Sequence, residues 1–260
     1  MHSTTGNSSK VIIQERDKAL FAELAHLGLV SSEQVKVLSG FGSMRRSNDR
    51  THRLVMAGYL RRCFIGTISG GKRSVFALAP KAAALLGIPA RPVSFRNNDL
   101  VTSDQFIRHQ LEINEVYLSV RYRELPPHIR FLRWRRFTVT LSETIRLIPD
   151  GYCELEMPSG VRCLFLEVDL GNEALRIWQD KVQNYLQLAV SGEFQRLFGQ
   201  SQFRVLVLVN SERRLLSLRQ KVAAATDKIF WFATLNDIHN QGLWAPVWLR
   251  PTGTARQSLL

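Results

Sequence analysis

Two acids interrupt a strand that is otherwise apolar. In Leu164-Phe165-Leu166-Glu167-Val168-Asp169-Leu170 the carboxylates of Glu167 and Asp169 sit two residues apart, and Asp150, after Ile148-Pro149, is separated from Glu167 by a gap of sixteen residues. A buried carboxylate is costly unless a metal ion, a basic partner or solvent at a strand end accompanies it. Alternation along a strand puts Phe165, Glu167 and Asp169 on one face and Leu166 and Val168 on the other. Pro158-Ser159-Gly160 reads as the turn joining this strand to the preceding one, a pairing that brings Asp150 beside Glu167 or Asp169. Two or three clustered oxygen ligands suit a hard divalent cation, Mg²⁺ or Mn²⁺. Such an ion could polarise a phosphodiester and activate water.

The elements that must position these residues form a second segment, residues 100–250. It opens with a long helix from Asp104 to about Glu124, whose stripe of Phe106, His109, Ile113, Val116, Tyr117 and Val120 makes His109 a core histidine. Strands follow at IRFLRWRRFTVT, RLIPDGYCELEM and VRCLFLEVDL, then a helix from Glu173 to about Val190. Strand FRVLVLV, helix ERRLLSLRQKVAAA, strand IFWFATL and a last strand LWAPVWLR complete it, and PTGTARQSLL reads as a frayed tail. This order predicts an α/β fold with a central mixed sheet flanked by helices. The continuously apolar strands predict that both sheet faces are covered.

Charge divides the chain. The formal net charge is +13, and residues 1–100 carry 15 basic and 6 acidic side chains. Residues 12–90 read as three helices and a hairpin. Glu15 to His26 stops at Gly28, Ser31 or Ser32 caps a second helix, and the third runs from about Ser43 to Ala57. Strands RRCFIGTI and SVFALAP meet at the tip Ser69-Gly70-Gly71-Lys72-Arg73. Three helices and a basic-tipped hairpin make a winged helix, whose third helix normally enters the major groove of double-stranded DNA. Arg45, Arg46, Asn48, Arg50, His52 and Arg53 on that helix, with Lys72 and Arg73 on the wing, are the candidate DNA contacts. A linker at 88–103 places the boundary near Pro92.

The acid pattern resembles the PD-(D/E)xK nuclease core. Pro149-Asp150 and Glu167-Val168-Asp169 fill its template on a strand-turn-strand followed by a helix, except that Asp169 stands where the pattern has lysine. In that superfamily the lysine sometimes moves to the next helix, and Lys181 is the candidate here. The resemblance implies that Asp150, Glu167 and Asp169 hold the metal, and that Lys181 supplies positive charge to the attacking water or the scissile phosphate.

Most of residues 14–250 also resembles the replication-relaxation family. The marks are RLVMAGYLRR, HQLEINEVYL, IPDG, the stretch from LEVDLG to KVQNYL, FRVLVLVNSERRLLSLR, and IFWFATL before LWAPVW. The layout is similar to the MOBC class of conjugative relaxases. The resemblance implies DNA binding in plasmid or mobile-element replication or mobilisation, with a metal-dependent endonuclease or nickase as the stronger expectation. A DNA-binding initiator or regulator with a degenerate nuclease-like domain is the alternative. Further partners would be a second copy of the chain or other plasmid replication and transfer proteins.

Several chemistries are disfavoured. No Walker loop and no GxGxxG is present. No histidine pair at metal spacing occurs, and Cys63, Cys153 and Cys163 have no zinc spacing. No apolar run approaches the roughly 18 residues of a membrane span. The polar start MHSTTGNSSK reads as a floppy leader without a signal core, and a cytoplasmic protein is expected.

Overall fold

A computed structural model describes residues 11–67, 70–89 and 100–260, the side chains of 100–103 excepted. The leader, Ser69 of the wing tip and the Pro92 boundary lie outside the described residues. The chain forms two compact units, divided between Leu118 and Ser119.

In the first unit α1 (Glu15–Leu27), β1 (Leu29–Ser31), α2 (Ser32–Leu38) and α3 (Met44–Met56) precede the hairpin of β2 (Leu60–Gly66) and β3 (Lys72–Leu78), then α4 (Pro80–Leu85). The sheet order β1-β3-β2, all antiparallel, is that of a winged helix. Local chemistry sets the helix ends. Gly28, at φ 82°, closes α1. Between the two serines, Ser31 is the cap of α2: its hydroxyl accepts from Gln34 N while the Gln34 side chain accepts from Ser31 N. Ser43 caps α3 by accepting from Arg46 N. β1 and α4 are too short to leave a periodic signal.

One charged pair ties α1 to α3. Asp17 is buried, and its two oxygens accept from Arg50 Nε at 3.0 Å and from Arg50 Nη2, while Gln14 N donates to the same carboxylate at 2.7 Å. Arg50 also donates to Ile12 O at 2.7 Å.

The long helix α5 (Leu100–Arg121) belongs, up to Leu118, to the first unit rather than to the second segment. Of the expected stripe, Ile113, Val116, Tyr117 and Val120 are buried and His109 is half-buried. Phe106 is exposed, whereas Ile107 and Leu111 are buried in a cluster with Leu29, Ile65 and Val75. Two buried amides hold it there, Gln34 Nε2 donating to Leu111 O at 2.9 Å and Asn114 Nδ2 to Leu29 O at 2.6 Å. Polar residues that satisfy a buried backbone are invisible to a hydrophobic periodicity.

The second unit is a mixed five-stranded sheet with helices against it. β4 (Arg130–Arg135), β5 (Gly151–Met157) and β6 (Gly160–Asp169) form an antiparallel meander. α6 (Leu175–Val190) and α7 (Glu193–Phe198) lead to β7 (Arg204–Val209), parallel to β6. α8 (Glu212–Ala223) leads to β8 (Phe230–Thr234), parallel to β7, and α9 (Leu235–Gln241) follows. One sheet face, carrying Phe165, Val205, Val207, Phe230 and Phe232, packs on Trp178, Val182, Tyr185 and Leu188 of α6 and on Leu215, Leu218 and Val222 of α8. Gly151 starts β5 because Trp134 lies over it: a Cβ there would meet the indole at 2.5 Å.

LWAPVWLR is not a strand. It makes only isolated bridges, Phe232 with Leu249 and Trp248 with Gln257. Nor is the tail frayed, since Leu259 is buried and Arg219 donates to Arg250 O at 2.8 Å and to Gly253 O. Its backbone pairs with core elements that a composition-based reading cannot place.

Replacing Arg50 by Ala leaves Asp17 buried without its cation. The expected cost is about 3 kcal/mol of folding stability, read as a lowered urea midpoint; Arg50→Lys should recover only part of it because the bidentate fork is lost.

Candidate functional site

The site grows from the pairing of β5 and β6. Gly151 pairs with Leu166, and Asp150 N donates to Leu166 O at 3.1 Å. The Asp150 carboxylate then turns onto the next turn of β6 backbone, its Oδ2 accepting from Val168 N at 2.7 Å. This places Asp150 close enough to Glu167 to raise its pKa.

Glu167 is fully buried. Its Oε1 accepts from the Tyr185 hydroxyl at 2.6 Å and its Oε2 from Lys181 Nζ at 2.8 Å, both groups from α6. Lys181 and Tyr185 are one helical turn apart, so a single helix face delivers both donors to one carboxylate. Lys181 Nζ also donates to Glu173 Oε1 at 2.9 Å.

Burial pushes Glu167 up to about 7; Asp150 pushes the same way, while Lys181 and the Tyr185 hydroxyl oppose it. Burial alone would lower the Lys181 ammonium, but Glu167, Glu173 and Asp150 outweigh that and hold it well above the ordinary lysine range. The Tyr185 phenol is raised by burial and by Glu167, and it stays protonated as a donor. Its ring packs against Phe165 and Phe230.

Asp169 shares the face of Glu167 but does not join it. Its Oδ1 accepts from Gly171 N at 2.6 Å, and its Oδ2 accepts from Trp178 Nε1 and from Arg214 Nη2 at 2.6 Å. Arg214, from the first turn of α8, also donates to Glu173 O at 2.5 Å. The expected three-carboxylate cluster is therefore corrected to the neighbours Asp150 and Glu167 with Lys181. Among the described residues no group of three His, Cys, Asp or Glu is arranged to hold a metal ion. Two carboxylates still fit Mg²⁺ or Mn²⁺ as a donor set. Mg²⁺ commonly takes one or two protein carboxylates and fills its shell with water and phosphate, and each Glu167 oxygen retains acceptor capacity beyond its one donor.

The sequence reading missed Glu173 and Arg214 as working parts, and it had Trp178 and Tyr185 packed together on the apolar stripe of α6 rather than holding carboxylates. Only Tyr185 had a signal, four residues after Lys181 on the same helix face.

On the first unit, Arg45, Arg46, Asn48, His52 and Arg53 are exposed along α3, and Lys72 is exposed on the wing. Arg50 is diverted to Asp17, and Arg73 Nε pairs with Glu33 at 3.1 Å, so these two face acids of their own chain. No helix among the described residues is long and apolar enough to cross a membrane.

In comparison with known families, the profile described as replication-relaxation matches residues 21–201, more than half of the chain. No curated protein and no solved structure matches.

Two outcomes follow from this geometry. Asp169→Ala leaves the Arg214 guanidinium and the Trp178 N–H without their shared acceptor, so stability should fall by about 3–5 kcal/mol in urea unfolding. Glu167 has an ordinary value of 4.5 and a folded value of about 7, so between these the folded chain holds a proton that the unfolded chain has released. Its contribution is full below pH 4.5 and lost as pH rises through about 7, by on the order of 3 kcal/mol. Urea midpoints at pH 5 and pH 8 should therefore differ less in Glu167→Gln than in the parent; equal differences would refute the shift.

Proposed function

The chain belongs to the replication-relaxation family, a family associated with replication and mobile-element processing, and from that premise we propose a DNA-binding protein whose second unit cuts or nicks a phosphodiester. The observation that carries this reading is the contact of Lys181 Nζ with Glu167 Oε2 at 2.8 Å. A lysine from the helix after the acidic strand takes the place left by Asp169.

Asp150 and Glu167 are the residues that would hold Mg²⁺ or Mn²⁺, which when bound supplies Lewis-acid polarisation of the phosphoryl oxygen. Lys181 keeps its charge at neutral pH and can stabilise the negative charge that builds on phosphate. Tyr185 fixes one Glu167 oxygen and, as a buried donor, serves as a positioning residue rather than a nucleophile. The exposed cations of α3 and Lys72 neutralise the phosphates of duplex DNA.

A second reading is favoured by the Asp169 contacts. That carboxylate holds Trp178 and Arg214, so part of the acid pattern is structural. A non-catalytic initiator or regulator would bind DNA equally well.

The deciding assay uses supercoiled plasmid carrying the protein's own origin, with Mg²⁺ or Mn²⁺. Conversion to open circle or linear DNA is expected, and Asp150→Ala, Glu167→Ala and Lys181→Met should each lower the rate by about 100-fold or more. Absent cleavage, or cleavage indifferent to all three substitutions, overturns the enzymatic reading in favour of the binding one. In either reading, Arg46→Ala and Arg53→Ala should each reduce the dependence of log K on log salt by about 1, measured by fluorescence anisotropy.

A further inference from the structure

A second, positively charged site lies in the second unit, away from the acids. A cavity of about 310 Å³ opens among the starts of β6, β7 and β8 and the segment around Arg250. Arg162, Arg204, Lys228 and Arg250 line it, with Gln202 and Trp231, and no acidic side chain does.

It is separate from the Glu167 site in two ways. Arg162 is five residues from Glu167 along β6, about 16 Å at strand rise. Five residues is also an odd number, so the two point to opposite sheet faces. Arg204 pairs with Leu164, and Trp231 with Leu206, so both share the face of Arg162.

Among the described residues, Arg204 and Arg250 are held by carbonyl groups, with no carboxylate at ion-pair distance. Arg204 donates to Leu259 O, and Arg250 Nη2 donates to Asp227 O at 2.8 Å and to Lys228 O. These acceptors are carbonyls, which orient a guanidinium but carry no net charge. Both guanidiniums lie over the Trp231 ring, at 4.5 and 4.7 Å from its centroid. Asp227 acts on Arg250 electrostatically. Burial and the fields of Arg162 and Arg250 lower the Arg204 pKa to about 10. Two donors remain buried without an acceptor, Trp231 Nε1 and Arg250 Nε. Trp231 itself is only 4% exposed. Gathering cations that lack a carboxylate partner is costly, and one anion would relieve that.

We propose that this cavity binds a small phosphorylated ligand of nucleotide size. Arg162, Arg204 and Arg250 pair with phosphate oxygens, and Lys228 adds charge. The volume lies at the lower end of small-ligand sites, roughly 300–1,000 Å³, which accommodates more than a bare phosphate. This site is independent of the proposed cleavage.

The test is calorimetric titration of the full chain, in EDTA, with pyrophosphate, thymidine 5′-monophosphate and thymidine. EDTA removes any metal from Asp150 and Glu167, so the result stands whether or not the chain cuts DNA. Saturable binding of a phosphorylated probe is expected, weakened about tenfold by Arg162→Ala and by Arg204→Ala. An unchanged far-UV circular dichroism spectrum verifies that both variants fold. Binding of the nucleotide alone identifies a nucleotide ligand, and binding of both probes identifies phosphate as the sufficient group. The proposal falls if neither binds, if thymidine binds as well as its monophosphate, or if both variants keep parental affinity.

Discussion

A carboxylate at the centre of a sheet must have its charge answered from within the protein, and Glu167 sets that demand for the second unit. It is fully buried on β6, between β5 and β7. Water cannot solvate it, so α6 lies across the sheet in the register that brings Lys181 and Tyr185 to its two oxygens. The same face of α6 carries Trp178, Val182 and Leu188 into the aromatic core. Packing and charge pairing thus depend on one helix orientation, and a rotation of α6 would break both.

Asp169 acts as a second fixing point two residues along the strand. By holding the Trp178 indole and the Arg214 guanidinium, it ties the start of α6 to the start of α8 at the strand's end. Arg214 also reaches Glu173 O, and Glu173 in turn accepts from Lys181. The acid pattern therefore splits by role. Asp150 and Glu167 gather beside a lysine, while Asp169 organises the frame that delivers that lysine.

The two ends of the sheet are electrostatic opposites. Acids cluster where β6 ends, and arginines gather on the other face where β6 and β7 begin. In the first unit the basic surplus is sorted by pairing. Arg50 and Arg73 are taken up by Asp17 and Glu33, whereas Arg45, Arg46 and Arg53 face solvent. Net charge counts all of them alike, but only uncompensated cations add to the surface potential a polyanion meets.

Much of the architecture was legible in the chain itself. Glycines and capping serines marked the ends of α1, α2 and α3, and Pro158-Ser159-Gly160 marked the β5–β6 turn that sets Asp150 against β6. Strand alternation placed Glu167 and Asp169 on one face. These are local properties, fixed by backbone geometry over a few residues. What the sequence could not determine is which donor each acid meets. That Asp169 turns to Trp178 and Arg214 instead of Asp150, that Arg50 serves Asp17, and that α5 packs by Ile107 and Leu111 are decided by residues 9 to 82 positions apart. Only the folded chain brings such groups within hydrogen-bond distance, and there the competition among buried partners selects the pairs that leave the fewest charges unanswered.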